Sequence, residues 1–140
     1  MAKSVRDAMT QNPRFVSTTD TVADAARALK DEDVGSVPVV EGERLVGIIT
    51  DRDITTRVVA EGRDPGSTSV REVASGELVT AEPTADLGEA LNLMAQHQVR
   101  RLPVVEQGRL VGILAQADVA ERLGDKETGR LVEAISEPPT

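Results

Sequence analysis

Thr50 and Asp53 place a hydroxyl and a carboxylate three positions apart, where the apolar run Val46-Gly47-Ile48-Ile49 meets the polar segment Asp51-Arg52-Asp53. Two chemistries fit that spacing. In the first, Thr-x-x-Asp is a near match to a capping box. The hydroxyl then takes the N–H of the third helical residue and the carboxylate takes the N–H of the capping residue, worth about 1 kcal/mol to the helix. In the second, the junction holds a sugar and a phosphate. A helix N-terminus presents free backbone N–H groups and a positive dipole end to an anion. A nearby carboxylate accepts both hydroxyls of a ribose diol. The two uses could coexist, in the free and the bound protein.

Composition narrows what else the chain can do. There are no cysteines and one histidine, His97, so thiolate nucleophiles, disulfides and multi-histidine metal sites within one chain are excluded. The formal charge of −8 opposes binding to a phosphate backbone. Phe15 is the sole aromatic, which removes the stacking platforms used for single-stranded nucleic acid. A bound ring would therefore lie between aliphatic side chains. No apolar run nears the roughly 20 residues that cross a membrane, and Met-Ala-Lys-Ser-Val-Arg-Asp lacks a secretory core, so a cytoplasmic location is expected. Catalysis is not expected. No nucleophile is paired with a base, there is no Gly-x-x-x-x-Gly-Lys phosphate loop, and paired carboxylates carry no weight among 24 acidic residues.

An internal repeat organises these residues. Segments 34–54 and 99–119 align without a gap at an offset of 65, with 11 of 21 positions identical. The same offset brings Val5-Arg6-Asp7 onto Val70-Arg71-Glu72. Thr21 and Asp24 have capping-box spacing, and Val22, Ala25, Ala26 and Leu29 recur at helical spacing behind them. Val37-Pro38-Val39-Val40 and Leu45–Ile49 flank Glu41-Gly42-Glu43 as a hairpin, and Ile54, Val58 and Val59 continue as a helix to about Gly62. The second copy predicts a helix over 86–96, strands over 102–106 and 110–114, and a helix over 116–123. The expected organisation is a first repeat over 1–62, a turn-rich linker over 63–69, a second repeat over 70–124, and a C-terminal helix and tail over 125–140. An apolar face on Leu131, Val132 and Ile135 suits either the chain's own core or a subunit contact.

Two β-α-β-β-α repeats, each with a hydrophobic-Pro-Val-Val strand and a Val-Gly-Ile strand ending before Asp, resemble a CBS-domain pair, also called a Bateman module. Thr-Asp-Arg-Asp-Ile, Glu-Gly-Arg-Asp-Pro and Val-Arg-Arg-Leu-Pro-Val-Val are similar to the stand-alone bacterial members. The resemblance implies an α+β fold, a tandem pair of CBS domains packed sheet to sheet with pseudo-two-fold symmetry. It further implies a disc-like homodimer and, in many members, adenosine-nucleotide binding in clefts between the repeats.

On that resemblance the ribose falls to Asp53 and the phosphate to Thr50 and Arg52. Pro38 and Pro103 are either strand starts or edges, or their missing ladder bonds leave neighbouring backbone free for an adenine edge, with Val37 or Leu102 against the ring. Arg100 and Arg101 are either solvated or supply guanidinium forks near the phosphates. The second copy reads Ala115-Gln116-Ala117-Asp118, so Asp118 could hold a ribose without the hydroxyl or the arginine. One good site per chain is expected. His97 has the position of a helix-end or solvent-facing residue.

The expected function is a sensor that binds AMP, ADP or ATP, with S-adenosylmethionine as a further possibility, and signals to a protein partner by a change of conformation. The rival expectation is a dimeric interaction scaffold with no physiological nucleotide. No nucleic-acid or membrane partner is expected.

Overall fold

A computed structural model describes residues 3–76 and 78–122, with side chains described as far as Val119. The expected helix over 126–136 and its subunit contact lie outside the described residues. The chain forms two compact units, one of residues 14–78 and one of residues up to 13 together with those from 79 onward.

In the 14–78 unit, strand β2 (Val16–Ser17) leads into helix α2 (Val22–Glu32). Thr21 caps α2 as its spacing predicts, accepting the Asp24 N–H at 3.1 Å while Asp24 accepts the Thr21 N–H at 3.1 Å. The helix stops at Asp33, whose φ of 54° is tolerated because a short polar side chain bears the left-handed region better than most. Strands β3 (Ser36–Glu41) and β4 (Arg44–Thr50) form the expected hairpin, and β2 joins β3 in parallel with Val16 opposite Val39. One face of α2 packs Val22, Ala25, Ala28 and Leu29 against Val37, Val39 and Ile49.

The next helix begins where the Thr50–Asp53 cap spacing puts it and departs from regular α-helix after one turn. Helix α3 (Asp51–Ile54) starts directly after β4 and continues as a π-helical stretch over Thr55–Val59. The cause is local. The hydroxyls of Thr55 and Thr56 donate to the carbonyls of Asp51 (3.0 Å) and Arg52 (2.8 Å), competing with the main-chain ladder. The Ala60 N–H then reaches back five residues to the Thr55 carbonyl, and Gly62, at φ 68°, ends the helix.

The second unit repeats the plan with helix α1 (Val5–Ala8), strand β1 (Thr10–Gln11), helix α4 (Leu87–His97), strands β5 (Arg101–Glu106) and β6 (Arg109–Ala115), and helix α5 (Gln116–Arg122). Its core gathers Val5, Leu87, Ala90, Met94, Leu102, Val104, Leu114 and Val119.

Sequence repeat and spatial unit do not coincide, because each repeat's leading segment packs with the other repeat's body. Val5 N–H donates to the Ala85 carbonyl, Arg6 N–H to Pro83 and Leu87 N–H to Lys3. At the 65-residue offset the same bonds recur as Val70 N–H to Asp20, Arg71 N–H to Thr18 and Val22 N–H to Thr68. The segment over 63–69 is accordingly docked, with Thr68 buried and the Thr68 and Pro65 carbonyls taking the first N–H groups of α2. Farther on, Ile48 and Ser75 exchange both backbone hydrogen bonds, as β1 pairs with β6 through Thr10 and Ile113.

Two caps carry a pH signature. The Thr21 backbone and hydroxyl hold the Asp24 carboxyl below its ordinary 3.8, helped by Arg27. The Ser69 backbone, then Arg63 and the Ser69 hydroxyl, hold Glu72 below its ordinary 4.5. Depressed folded-state values mean that the unfolded chain binds more protons as the pH falls. This stabilisation is present above those ordinary values and is lost as the pH drops through the folded-state ones. In acid titrations followed by circular dichroism, Asp24→Asn with Glu72→Gln should flatten the loss of stability below about pH 4.5.

Candidate functional site

The β4–α3 junction is built as a capping box. Thr50 Oγ1 accepts the Asp53 N–H at 3.0 Å, and Asp53 Oδ2 accepts the Thr50 N–H at 3.0 Å. The Asp53 side chain is 16% exposed. Its second oxygen, Oδ1, lies 4.0 Å from Arg57 Nε, too far for a hydrogen bond. Thr50 uses its oxygen as an acceptor, so its O–H proton remains available to donate. Capping therefore occupies one atom of each pair and leaves one hydroxyl donor and one carboxylate oxygen for a ligand. The two uses of the junction are compatible in one conformation.

The expectation of free backbone donors is corrected by the structure. Asp51 N–H donates to the Gly35 carbonyl at 3.0 Å, Arg52 N–H to Asp51 Oδ1 at 2.7 Å, and Asp53 N–H to Thr50. The positive charge on offer to an anion is instead the Arg52 guanidinium, which is exposed and forms no ion pair among the described residues. It stands beside two carboxylates, Asp51 and Asp53. The junction's available positive charge is thus a side chain flanked by local negative charge, not a helix end.

In the second unit Asp118 Oδ2 accepts the Ala115 N–H at 3.0 Å, the carboxylate half of the same box. Ala115 has no hydroxyl to complete it. Val37 (3% exposed) and Leu102 (0%) belong to the two hydrophobic cores, so neither side chain offers the free apolar face expected against a ring. Pro38 stands opposite Ile48, whose N–H and C=O both point to Ser75. That pair is a non-hydrogen-bonded one, so the proline costs β3 no bond to β4. Pro103 takes the matching place opposite Ile113, and its carbonyl accepts the Ala81 N–H. Arg100 is exposed, and its carbonyl accepts the Gln116 N–H at 2.8 Å. Arg101 opens β5 half-buried, with its Nε buried and without a hydrogen-bond partner. His97 is exposed in the last turn of α4.

Arg57 is the neighbour that residue-type reasoning passed over. It faces Asp53 at i,i+4 and donates from Nη1 to the Val73 carbonyl at 2.9 Å. A signal existed: Asp-x-x-x-Arg occurs in both copies, as Asp53–Arg57 and Asp118–Arg122. A separate cavity of about 310 Å³ lies among Thr18, Glu41, Gly47, Arg71, Ser75 and their neighbours, and none of the expected ligand residues lines it. Among the described residues no cluster of three or more His, Cys, Asp or Glu could hold a metal ion, and no helix is long and apolar enough to cross a membrane.

Comparison with known proteins agrees with this geometry. The CBS domain family model matches residues 5–60 and again 70–125. The CBS domain-containing protein YhcV of Bacillus subtilis is 47% identical over 95% of both chains. Hypoxic response protein 1 of Mycobacterium tuberculosis is 36% identical over 96% of this chain and 95% of its own. A crystal structure of Hypoxic Response Protein I with two coordinated zinc ions superposes with a TM-score of 0.79, covering 87% of this chain and all of the other. CBSX2 in complex with AMP is 26% identical, with a TM-score of 0.72 over 85% of this chain and 94% of that one. CBS domains are regulatory rather than catalytic modules, and both matches fall on the doubled pattern of cap, hairpin and helix. The chain belongs to the CBS-domain family, as a tandem pair of CBS domains.

Proposed function

We propose that this CBS pair is a regulatory module that binds an adenosine nucleotide, with its main site at the β4–α3 junction. The observation that carries the reading is the division of labour at that junction. With the cap intact, Thr50 keeps a hydroxyl proton, Asp53 keeps Oδ1, and Arg52 keeps an uncommitted guanidinium. These are the groups a ribose diol and a phosphate require. The AMP complex of CBSX2 supports the ligand class. The second copy lacks the hydroxyl, and Gln116-Ala117 replaces Asp51-Arg52, so one strong site per chain is the expectation carried forward. Signalling through a homodimer to a protein partner belongs to the same reading.

Isothermal titration calorimetry of the nucleotide-stripped protein against AMP, ATP and S-adenosylmethionine tests it. Saturable binding in the micromolar range, near one site per chain, is expected. Silence across all three ligands, with the protein folded, overturns the reading and leaves the interaction scaffold with Thr50 and Asp53 as a cap.

A further inference from the structure

We propose that Arg57 is a positioning residue of this site, holding the Asp53 carboxylate from its outer side and tying its occupancy to the segment over 70–76. The proposal rests on the nucleotide reading of Thr50–Asp53.

Arg57 reaches in two directions. Its Nε faces Asp53 Oδ1 at 4.0 Å, close enough for charge attraction yet leaving the oxygen's lone pairs open. Its Nη1 donates to the Val73 carbonyl at 2.9 Å in a part-buried bond. Asp53 is thus held between the Thr50 N–H on Oδ2 and a guanidinium on the side of Oδ1. That arrangement presents Oδ1 to a hydroxyl donor while placing positive charge toward an anionic ligand.

Val73 belongs to the stretch that leads from the Val70–Glu72 turn to Ser75, where the Ser75 and Ile48 backbones exchange two hydrogen bonds. Ile48 lies two residues before Thr50 on β4, so the contacts close a ring from Asp53 through Arg57, Val73, Ser75 and Ile48 back to Thr50. After Leu78 the chain enters the other unit. Arg57 also sits within the π-helical stretch Thr55–Val59. Such stretches are concentrated at functional sites.

A ribose hydroxyl on Oδ1 and an anion nearby would fix the guanidinium, and with it the Val73 carbonyl. In the full-length, nucleotide-stripped protein, AMP should therefore slow amide hydrogen exchange at Ser75 and Ile48 several-fold. Arg57→Met should weaken AMP binding by about five- to tenfold, the lower range of a typical coupling between sites. It should also remove the AMP-dependent change in exchange. A purely structural role would alter the exchange of the free protein and leave the AMP-dependent difference in place.

Arg57→Lys separates the two roles. Its single ammonium keeps charge near Asp53 but cannot serve both Asp53 and Val73, so most affinity should survive while the exchange response is lost. Equal AMP affinity in wild type and Arg57→Met, or an intact exchange response in either variant, overturns the proposal. If Arg57→Met does not fold, Arg57→Lys decides it by the exchange response. Wild-type protein that fails to bind AMP at all marks the failure of the nucleotide reading itself, a result visible before any variant is made.

Discussion

Asp53→Ala is expected to lower AMP affinity by about 100-fold, while Asp118→Ala lowers it by no more than a fewfold. The first figure, about 2.7 kcal/mol, corresponds to losing one hydrogen bond from a ribose hydroxyl to a charged acceptor, worth roughly 1.5–3 kcal/mol. The pseudo-symmetry of the chain supplies the control. Both carboxylates accept the N–H of the residue three positions earlier at 3.0 Å, so either substitution removes the same half of a capping box. Their costs in stability should be alike, at about 0.5–2 kcal/mol. Only the junction with a hydroxyl at Thr50 and a guanidinium at Arg52 should lose ligand. Calorimetric titration together with thermal melts separates the two quantities. Equal losses of affinity would refute the one-strong-site reading. Equal losses of stability with no change in affinity would reduce Asp53 to a cap.

Gly47→Ala is expected to destabilise the fold by about 1–3 kcal/mol, as overpacking in a closed site does. For a chain of this size that is a fall in melting temperature of roughly 3–9 °C. A Cβ at Gly47 would lie 2.6 Å from the Ser75 carbonyl oxygen, an atom fixed by its hydrogen bond from Ile48. Backbone cannot swing aside as a side chain can. Gly112, the equivalent in the other copy, shows the same closeness to the Thr10 carbonyl at 2.9 Å, together with the movable Met9 Sδ at 2.7 Å. Its alanine variant should suffer less. Gly76 has nothing within 4 Å of its would-be Cβ, and Gly76→Ala should melt with the wild type. Coincident melting of Gly47→Ala and Gly76→Ala would mean that the 70–76 segment is not docked on β4.

Much of this architecture is legible in local pattern. Thr21 with Asp24 announces the start of α2, the Val-Pro-Val-Val and Leu-Val-Gly-Ile runs announce the hairpins, and the 65-residue offset announces that everything occurs twice. Capping spacing at 50–53 was readable for the same reason, since a cap involves residues only three apart. The junction's use was harder to read. That the first three N–H groups of α3 are all engaged depends on Gly35, sixteen residues before Asp51, and on the Asp51 rotamer. Arg57 drew no notice because an i,i+4 pair on a helix is ordinarily a solvated contact; its value lies in the Val73 carbonyl, which spacing does not reveal.

By itself, then, the sequence determined the two long helices, the two hairpins, the caps at Thr21 and Thr50, and the family to which the doubled pattern belongs. Tertiary structure decided which copy each leading segment serves. Val5-Arg6-Asp7 and Val70-Arg71-Glu72 carry the same pattern, and the bodies over 14–62 and 79–122 offer them equivalent carbonyls, so local sequence cannot choose between partners. The choice shows only in space, where Val5 enters the core of the second repeat and Val70 the core of the first. The glycines at 47 and 112 reflect that choice: each lacks a side chain because a leading segment from the other repeat passes directly over it.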